Sequence, residues 1–186
     1  MLILASASPR RRELLQTICS EFTVEPSLYE ERARGLSAQE TVLLFAEGKA
    51  REVLSRFPRA LVLGADTVVS LDGRILGKPK SEGEAAEMLR ALSGRTHEVF
   101  TGVCLAGEGF LRKEVVKTEV TFRTLDDKFI AAYVAGGSPM DKAGGYGIQD
   151  GDLVASYKGS YSNVVGLPLE RVRALLKEGN YVETCD

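Results

Sequence analysis

Eleven consecutive residues, Ala60-Leu61-Val62-Leu63-Gly64-Ala65-Asp66-Thr67-Val68-Val69-Ser70, form a run that is apolar or small apart from two hydroxyls and one carboxylate. Aliphatic and β-branched residues in an unbroken run are the pattern of a strand buried on both faces. Such a strand needs a cover on each side, which directs the chain to a sheet flanked by helices. The run carries Asp66 near its middle. A buried carboxylate is costly unless it is hydrogen-bonded, paired with a cation or bound to a metal. Gly64, two residues earlier, lets another group approach the backbone closely.

The opening stretch has a comparable grammar. Leu2 to Ala5 reads as a short buried strand, and Ser6 and Ser8 place hydroxyls in the turn after it. Ser8 suits an N-cap and Pro9 a first helical position. The helix that follows buries Leu14, Leu15 and Ile18. Arg10, Arg11 and Arg12 fall in its first turn, where cations oppose the helix dipole unless an anion binds there. Serine hydroxyls, free backbone N–H groups and guanidinium forks together make a phosphate cradle, as against a merely solvated basic turn.

Along the rest of the chain, Glu21–Glu25 alternates as a short strand, and residues 27–35 form a charged loop. Capping boxes at Ser37–Glu40 and Ser81–Glu84 open two helices. The first runs to about Arg56 and buries Val42, Phe45, Ala46, Ala50, Val53 and Leu54. The second buries Ala85, Met88, Leu89 and Leu92 and stops at Gly94. Asp72-Gly73 is a tight hairpin turn, and Lys78 stands in a stiff Gly-Lys-Pro turn just beyond it. Strands over Thr96–Ala106 and Phe110–Phe122 form a long hairpin. A helix over 126–135 leads to a glycine-dense loop, Pro139 to Gln149, that matches neither a Walker loop nor a dinucleotide fingerprint. A strand at Leu153–Tyr157 precedes a final helix with Pro168 as its first residue. The alternation predicts an α/β fold: a twisted mixed sheet flanked by helices.

Several function classes are excluded or disfavoured. A net charge of −2 gives no global field for nucleic acid or an anionic membrane. No apolar run reaches transmembrane length. With one histidine, His97, and cysteines at 19, 104 and 185 without metal spacing, a metal would be a hard cation held by carboxylates. The odd cysteine count and the lack of a leader before Leu2 argue for a reducing cytoplasm. His97 with one of the serines invites a nucleophilic triad, but no Gly-x-Ser-x-Gly elbow exists, so it reads as a structural hydrogen-bonding residue.

Six segments in series now point to a family. Ser6-x-Ser8-Pro9-Arg10-Arg11, Gly64-Ala65-Asp66-Thr67, Gly77-Lys78-Pro79, Ser93-Gly94-x-x-His97-x-Val99-x-Thr101-Gly102-Val103, Asp141-Lys142-Ala143-Gly144-x-Tyr146-Gly147-Ile148-Gln149 and Asn163-Val164-Val165-Gly166-Leu167-Pro168 resemble the Maf family of nucleoside triphosphate pyrophosphatases. The series spans nearly the whole chain. The resemblance implies one Maf-like domain over residues 1–186, with a fold like that of inosine triphosphate pyrophosphatases: two lobes sharing a central cleft, and a homodimer. It implies cleavage of a nucleoside triphosphate between its α- and β-phosphates with Mg²⁺ or Mn²⁺. The Arg-Arg pair and the Tyr-Gly-Ile-Gln ending resemble the branch acting on dTTP and UTP. Two positions depart from the family pattern: its Asp-Glu pair is Glu30-Glu31 here, and Asp150 replaces a commoner glycine.

The resemblance also distributes roles. Arg10 and Arg11 match triphosphate oxygens, Ser6 and Ser8 their hydrogen bonds, and Lys78 the leaving pyrophosphate, while Arg12 faces water. Asp66 is the general base or holds the cation, as against an Asp tied to backbone N–H groups. Glu31 is the second carboxylate for the cation, as against a solvated loop charge. Gln149 suits a uracil or thymine edge but equally phosphate or a metal-bound water. Thr67 helps set base choice. Asp141 and Lys142 pair with each other or belong to the cleft, and Asn163 is a turn residue. The competing readings are a pyrophosphatase preferring another base, such as 7-methyl-GTP, and a non-enzymatic division-regulating or nucleic-acid-binding protein.

Overall fold

A computed structural model describes residues 1–181; Cys185 lies outside them. The chain runs β1 (Leu2–Leu4), α1 (Pro9–Gln16), β2 (Thr23–Val24), α2 (Ala38–Arg56), β3 (Leu61–Leu71), β4 (Arg74–Leu76), α3 (Glu82–Leu92), β5 (Thr96–Gly107), β6 (Phe110–Phe122), α4 (Asp127–Ala135), β7 (Val154–Lys158), α5 (Tyr161–Val165) and α6 (Leu169–Glu178). Three short 3-10 turns over residues 138–150 fill the glycine-dense loop.

The apolar run forms β3, the strand on which the sheet is built. Strand order is β2-β1-β3-β5-β6-β7, with β4 folding back on β3. β1 lies parallel to both β2 and β3, whereas β3, β5, β6 and β7 are antiparallel neighbours. The sheet is therefore mixed and carries helices on both faces, as the sequence predicts. Alternate residues of β3 serve opposite faces. Leu63 and Ala65 pack with Leu15, Val172 and Leu175 of α1 and α6. Val69 and Leu71 extend that face beneath α3 and α4, with Leu89, Leu92, Ile130 and Phe122. On the reverse face Val62 packs with Ala46, Ala50 and Val53 of α2.

Two glycines bring α2 against the sheet. A Cβ at Gly64 would lie 2.2 Å from the Ala46 carbonyl oxygen, and one at Gly102 would lie 2.4 Å from that of Val42. Helix backbone thus rests directly on strand backbone, the close approach that Gly64 suggests in the sequence.

One edge of β3 is only partly paired. β1 pairs with it up to Leu63, and β4 begins at Val69. Between these points β3 has β5 on one side and, among the described residues, no strand on the other. The gap falls where the run carries Asp66 and Thr67. Ligands in α/β sheets commonly enter at such breaks in strand order.

Local expectations hold with small departures. Ser8 caps α1 through the Arg11 N–H with Pro9 as first helical residue, and Ser37 and Glu40 cap α2 reciprocally. At α3, Ser81 caps, but Glu84 accepts from the Lys80 N–H rather than closing the box. Asp72 and Gly73 both have positive φ, giving the tight hairpin turn between β3 and β4. Pro168 occupies the cap position of α6 rather than its first helical one. Helix α5 is not legible in the sequence. Asn163 lies inside it, fully buried, and is not a turn residue: its amide donates to the Val99 carbonyl at 3.2 Å and the Thr118 hydroxyl at 2.9 Å.

Candidate active site

The gap beside β3 opens into a cavity of about 600 Å³. Every residue to which the sequence assigns a part in phosphate, base, water or cation chemistry lines it: Ser6, Ser8, Arg10, Arg11, Glu31, Asp66, Thr67, Lys78 and Gln149. The opening arginines and the mid-chain aspartate, far apart in sequence, share one groove. Five cations (Arg10, Arg11, Lys49, Lys78, Lys142) face three carboxylates (Glu31, Asp66, Asp141) across it. The excess of positive charge leaves the walls suited to an anion.

On one wall, the turn after β1 and the first turn of α1 present the arginines. Arg11 is anchored at all three nitrogens: Nε donates to the Gly166 carbonyl at 2.8 Å, Nη1 to the Ser6 hydroxyl at 3.2 Å, and Nη2 to the Thr67 hydroxyl at 3.0 Å. Burial pulls its pKa below the ordinary arginine value, while Asp66 and Glu31 push it back up. Arg10 pairs with Asp141 at 2.6 Å and also reaches the Asp141 carbonyl at 3.1 Å. This contact ties α1 to the glycine-dense loop across the cavity. Arg12 is exposed, as expected. Ser8 accepts from the Arg11 N–H, so its oxygen is partly engaged by the helix itself.

The opposite wall is β3 under α2. Asp66 and Thr67, being adjacent in a strand, point to opposite faces. Thr67 turns toward Arg11, and its hydroxyl also pairs with that of Thr101 at 2.9 Å. Asp66 turns toward α2, where the Lys49 ammonium donates to it at 2.7 Å. The same ammonium meets Glu31 at 2.6 Å. Asp66 is thus paired with a cation rather than tied to backbone N–H groups. Its pKa is raised: burial disfavours the anion, Lys49 and Arg11 pull the other way, and Glu31 adds to the rise. A buried carboxylate so shifted is a frequent mark of a functional site.

Lys49 is the residue that sequence reading missed. A lysine late in an amphipathic helix reads as surface charge, yet its side chain is 13% exposed. Its place follows from the Gly64 and Gly102 contacts that set α2 on the sheet. Gly48, beside it, is the signal that was available, since glycine in a helix interior costs about 1 kcal/mol relative to alanine.

The third wall is the glycine-dense loop. Gly144 has φ +70°, and a Cβ there would meet Val69 Cγ2 at 2.8 Å, so only glycine lets the loop lie on β3. Tyr146 is buried and shares a 2.7 Å hydrogen bond with His97 Nε2. His97 is 2% exposed and packs edge-on against Phe122. Burial lowers its pKa to about 4, so it stays neutral and acts as an anchor. Asp141 and Lys142 are both paired with each other, at 3.1 Å, and part of the cavity wall. Asp150 accepts hydrogen bonds from Tyr133 and Ser138 and fastens the end of the loop. Lys78 and Gln149 line the cavity as exposed side chains.

Glu31 and Asp66 converge on one ammonium, and both offer only oxygen. Oxygen-only carboxylates are the ligand type a hard divalent cation takes, and the Lys49 ammonium holds the position between these two.

Comparison with known proteins agrees with this architecture. Residues 1–179 match the family described as Maf-like protein. A dTTP/UTP pyrophosphatase of Thermococcus gammatolerans is 53% identical over 181 residues, covering 96% of this chain and 97% of that protein. Proteins of the same name from Moorella thermoacetica and Salmonella typhimurium are 52% and 50% identical, covering 94% and 96% of this chain and 93% of each relative. Among solved structures, the Ham1 protein of Staphylococcus aureus superposes with a TM-score of 0.58 at 13% identity, over 96% of this chain and 98% of that one. At that identity the likeness speaks for the fold alone, and it agrees with a mixed sheet flanked by helices. The break in β3, the arginine turn that faces it and a family match running almost from end to end lead to one conclusion: the chain belongs to the Maf family.

Proposed function

We propose that the protein hydrolyses nucleoside triphosphates, dTTP and UTP foremost, to the nucleoside monophosphate and pyrophosphate. One observation carries the reading: a cationic wall built for phosphate faces, across a single cavity, a buried carboxylate of raised pKa. The names of the relatives at about 50% identity support the substrate class.

Water is a poor nucleophile, and a triphosphate repels hydroxide, so the site must neutralise phosphate charge and take a proton from a held water. Arg10, Arg11 and Lys78, with the Ser6 and Ser8 hydroxyls and the N-terminus of α1, take up the phosphate charge. Asp66 accepts the proton of the attacking water. Its raised pKa brings it nearer to neutral working pH than an ordinary carboxylate, which improves it as a base. Lys49 holds that carboxylate aimed and ionised. The water oxygen bonds to phosphorus at the α–β linkage, the bridging oxygen departs with pyrophosphate, and Lys78 balances the charge that develops on it. Glu31 and Asp66 would hold Mg²⁺ or Mn²⁺, which shields phosphate charge and acidifies a bound water. Gln149 offers both a donor and an acceptor to a pyrimidine edge. Thr67 is spent on Arg11 and Thr101, so it acts on base choice through Arg11.

The same reading makes the chain one catalytic domain of two lobes. It also makes the protein cytoplasmic, where such nucleotides are found, homodimeric, and independent of nucleic acid. Its balanced charge and the engagement of Arg10 and Arg11 within the cavity support the last point.

The test is a nucleotide panel with pyrophosphate detection, run beside Asp66→Asn. The expected result is fastest turnover of dTTP and UTP, with monophosphate and pyrophosphate as products. Asp66→Asn should lose at least about a hundredfold in kcat while keeping the fold. A preference for 7-methyl-GTP would move the protein to the other branch. Salt-sensitive DNA binding with no turnover would replace the enzyme reading altogether. An active Asp66→Asn variant would remove Asp66 from the role of base.

A further inference from the structure

Gly48 sits mid-helix in α2, and the space above it is taken. A Cβ there would lie 2.3, 2.4 and 2.6 Å from three ring carbons of Tyr29, closer than any side chain tolerates. The Tyr29 ring thus rests on bare helix backbone, and one turn earlier it meets Phe45 edge-on with centroids 6.3 Å apart. The same face of α2 continues with Lys49 and Glu52. The Glu52 carboxylate accepts the Ser27 hydroxyl and the Leu28 N–H, each at 2.9 Å, and the Ser27 hydroxyl accepts the Tyr29 N–H at 3.0 Å. Arg56 holds Glu52 from the next turn and donates to the Pro26 carbonyl at 3.0 Å. Two residues beyond Tyr29, this loop delivers Glu31 to Lys49. Residues 32–37, which follow, are exposed.

The Glu31 side chain is itself 49% exposed, and a half-exposed ion pair is too weak to order a loop. The ordering must come from upstream, where a ring fills a notch and a paired carboxylate caps the turn. We propose that Tyr29, seated in the Gly48 notch, is a positioning residue that fixes Glu31 against Lys49 and, through Lys49, beside Asp66. The inference rests on the reading that Glu31 works with Asp66 in turnover. It assigns the ring, not the hydroxyl, because among the described residues the Tyr29 hydroxyl makes no hydrogen bond.

The experiment uses the full chain with dTTP and Mg²⁺. Steady-state kinetics and thermal unfolding are recorded for Tyr29→Phe, Tyr29→Ala, Gly48→Ala and Glu31→Gln, and for the alanine variants combined with Glu31→Gln. Tyr29→Phe should stay within about twofold of the parent, whereas Tyr29→Ala and Gly48→Ala should each lose about tenfold in kcat, with KM moved less than about threefold. In the Glu31→Gln background the alanine substitutions should cost no more than about a further twofold, because the group they position is already disabled. Normal kcat in Tyr29→Ala and Gly48→Ala, with Glu31→Gln impaired, would overturn the positioning role and leave the function intact. Equal losses in both backgrounds would also overturn it, since Tyr29 would then act through something else. Undiminished turnover in Glu31→Gln would instead strike the role of Glu31, and this inference with it. If Gly48→Ala fails to fold, the contrast between Tyr29→Phe and Tyr29→Ala decides alone.

Discussion

Replacing Lys49 by methionine tests how the cavity holds its buried carboxylate. The side chain keeps much of its length and loses its charge. Lys49 Nζ lies 2.7 Å from Asp66, whose side chain is 10% exposed. At an effective dielectric of about 20, opposite charges about 4 Å apart between centres attract by about 4 kcal/mol. Arg11 remains nearby and water enters the vacated space, so the loss near neutral pH should be about 2–4 kcal/mol, in line with breaking a buried pair from one side. The pH dependence carries the diagnosis. The Asp66 pKa is already raised in the folded state, so its ionised form opposes folding: the penalty is absent below the unfolded pKa and grows as pH rises through the folded one. Without Lys49 the folded pKa climbs further, each unit adding about 1.4 kcal/mol to that penalty. Denaturant unfolding of parent and Lys49→Met should therefore differ most near pH 7 and little near pH 4. The acidic limb of the kcat/KM profile should move to higher pH in the variant. A stability difference independent of pH, or an unmoved acidic limb, would refute the electrostatic account of Lys49.

Three further outcomes follow from the geometry. Gly64→Ala places a methyl group 2.2 Å from the Ala46 carbonyl, so α2 must lift; chemical denaturation should find a loss of about 1–3 kcal/mol or more, with kcat reduced as Lys49 leaves Asp66. His97 is held neutral with a pKa of about 4, so the stability it contributes falls as pH drops below its ordinary value of about 6.5; between pH 7 and 5 the parent should lose about 2 kcal/mol that His97→Gln does not, by urea titration at each pH. Arg10→Gln breaks a pair with an exposed Asp141 and should cost under about 1 kcal/mol in stability, while KM for the triphosphate rises at least about tenfold in initial-rate assays.

Much of the site was readable because its chemistry sits at places of local conflict. Three arginines oppose a helix dipole, a carboxylate interrupts an apolar strand, and a lysine stands between glycine and proline. Each is hard to explain by local structure alone, and Arg10, Arg11, Asp66 and Lys78 line one cavity, while Arg12 faces water. The elements themselves followed from caps, turns and periodicity. Glycines at 48, 64 and 102 were visible as letters, but what leans on each depends on which helix crosses which strand. Helix α5 was hidden for a related reason. It is five residues long, and the amide nitrogen of its buried Asn163 donates to Val99 and Thr118, far off in sequence.

By itself the sequence determined the layered α/β class, the start and stop of most elements, and the residue types able to meet a triphosphate. These are local properties, set by backbone sterics, capping and side-chain periodicity within one or two turns. Only the tertiary structure decided that β1 ends and β4 begins on either side of Asp66, that α2 lies close enough to bring Lys49 over it, and that Tyr29 settles on Gly48. Those depend on contacts between segments remote in the chain, where packing fixes the partner and no local preference names it.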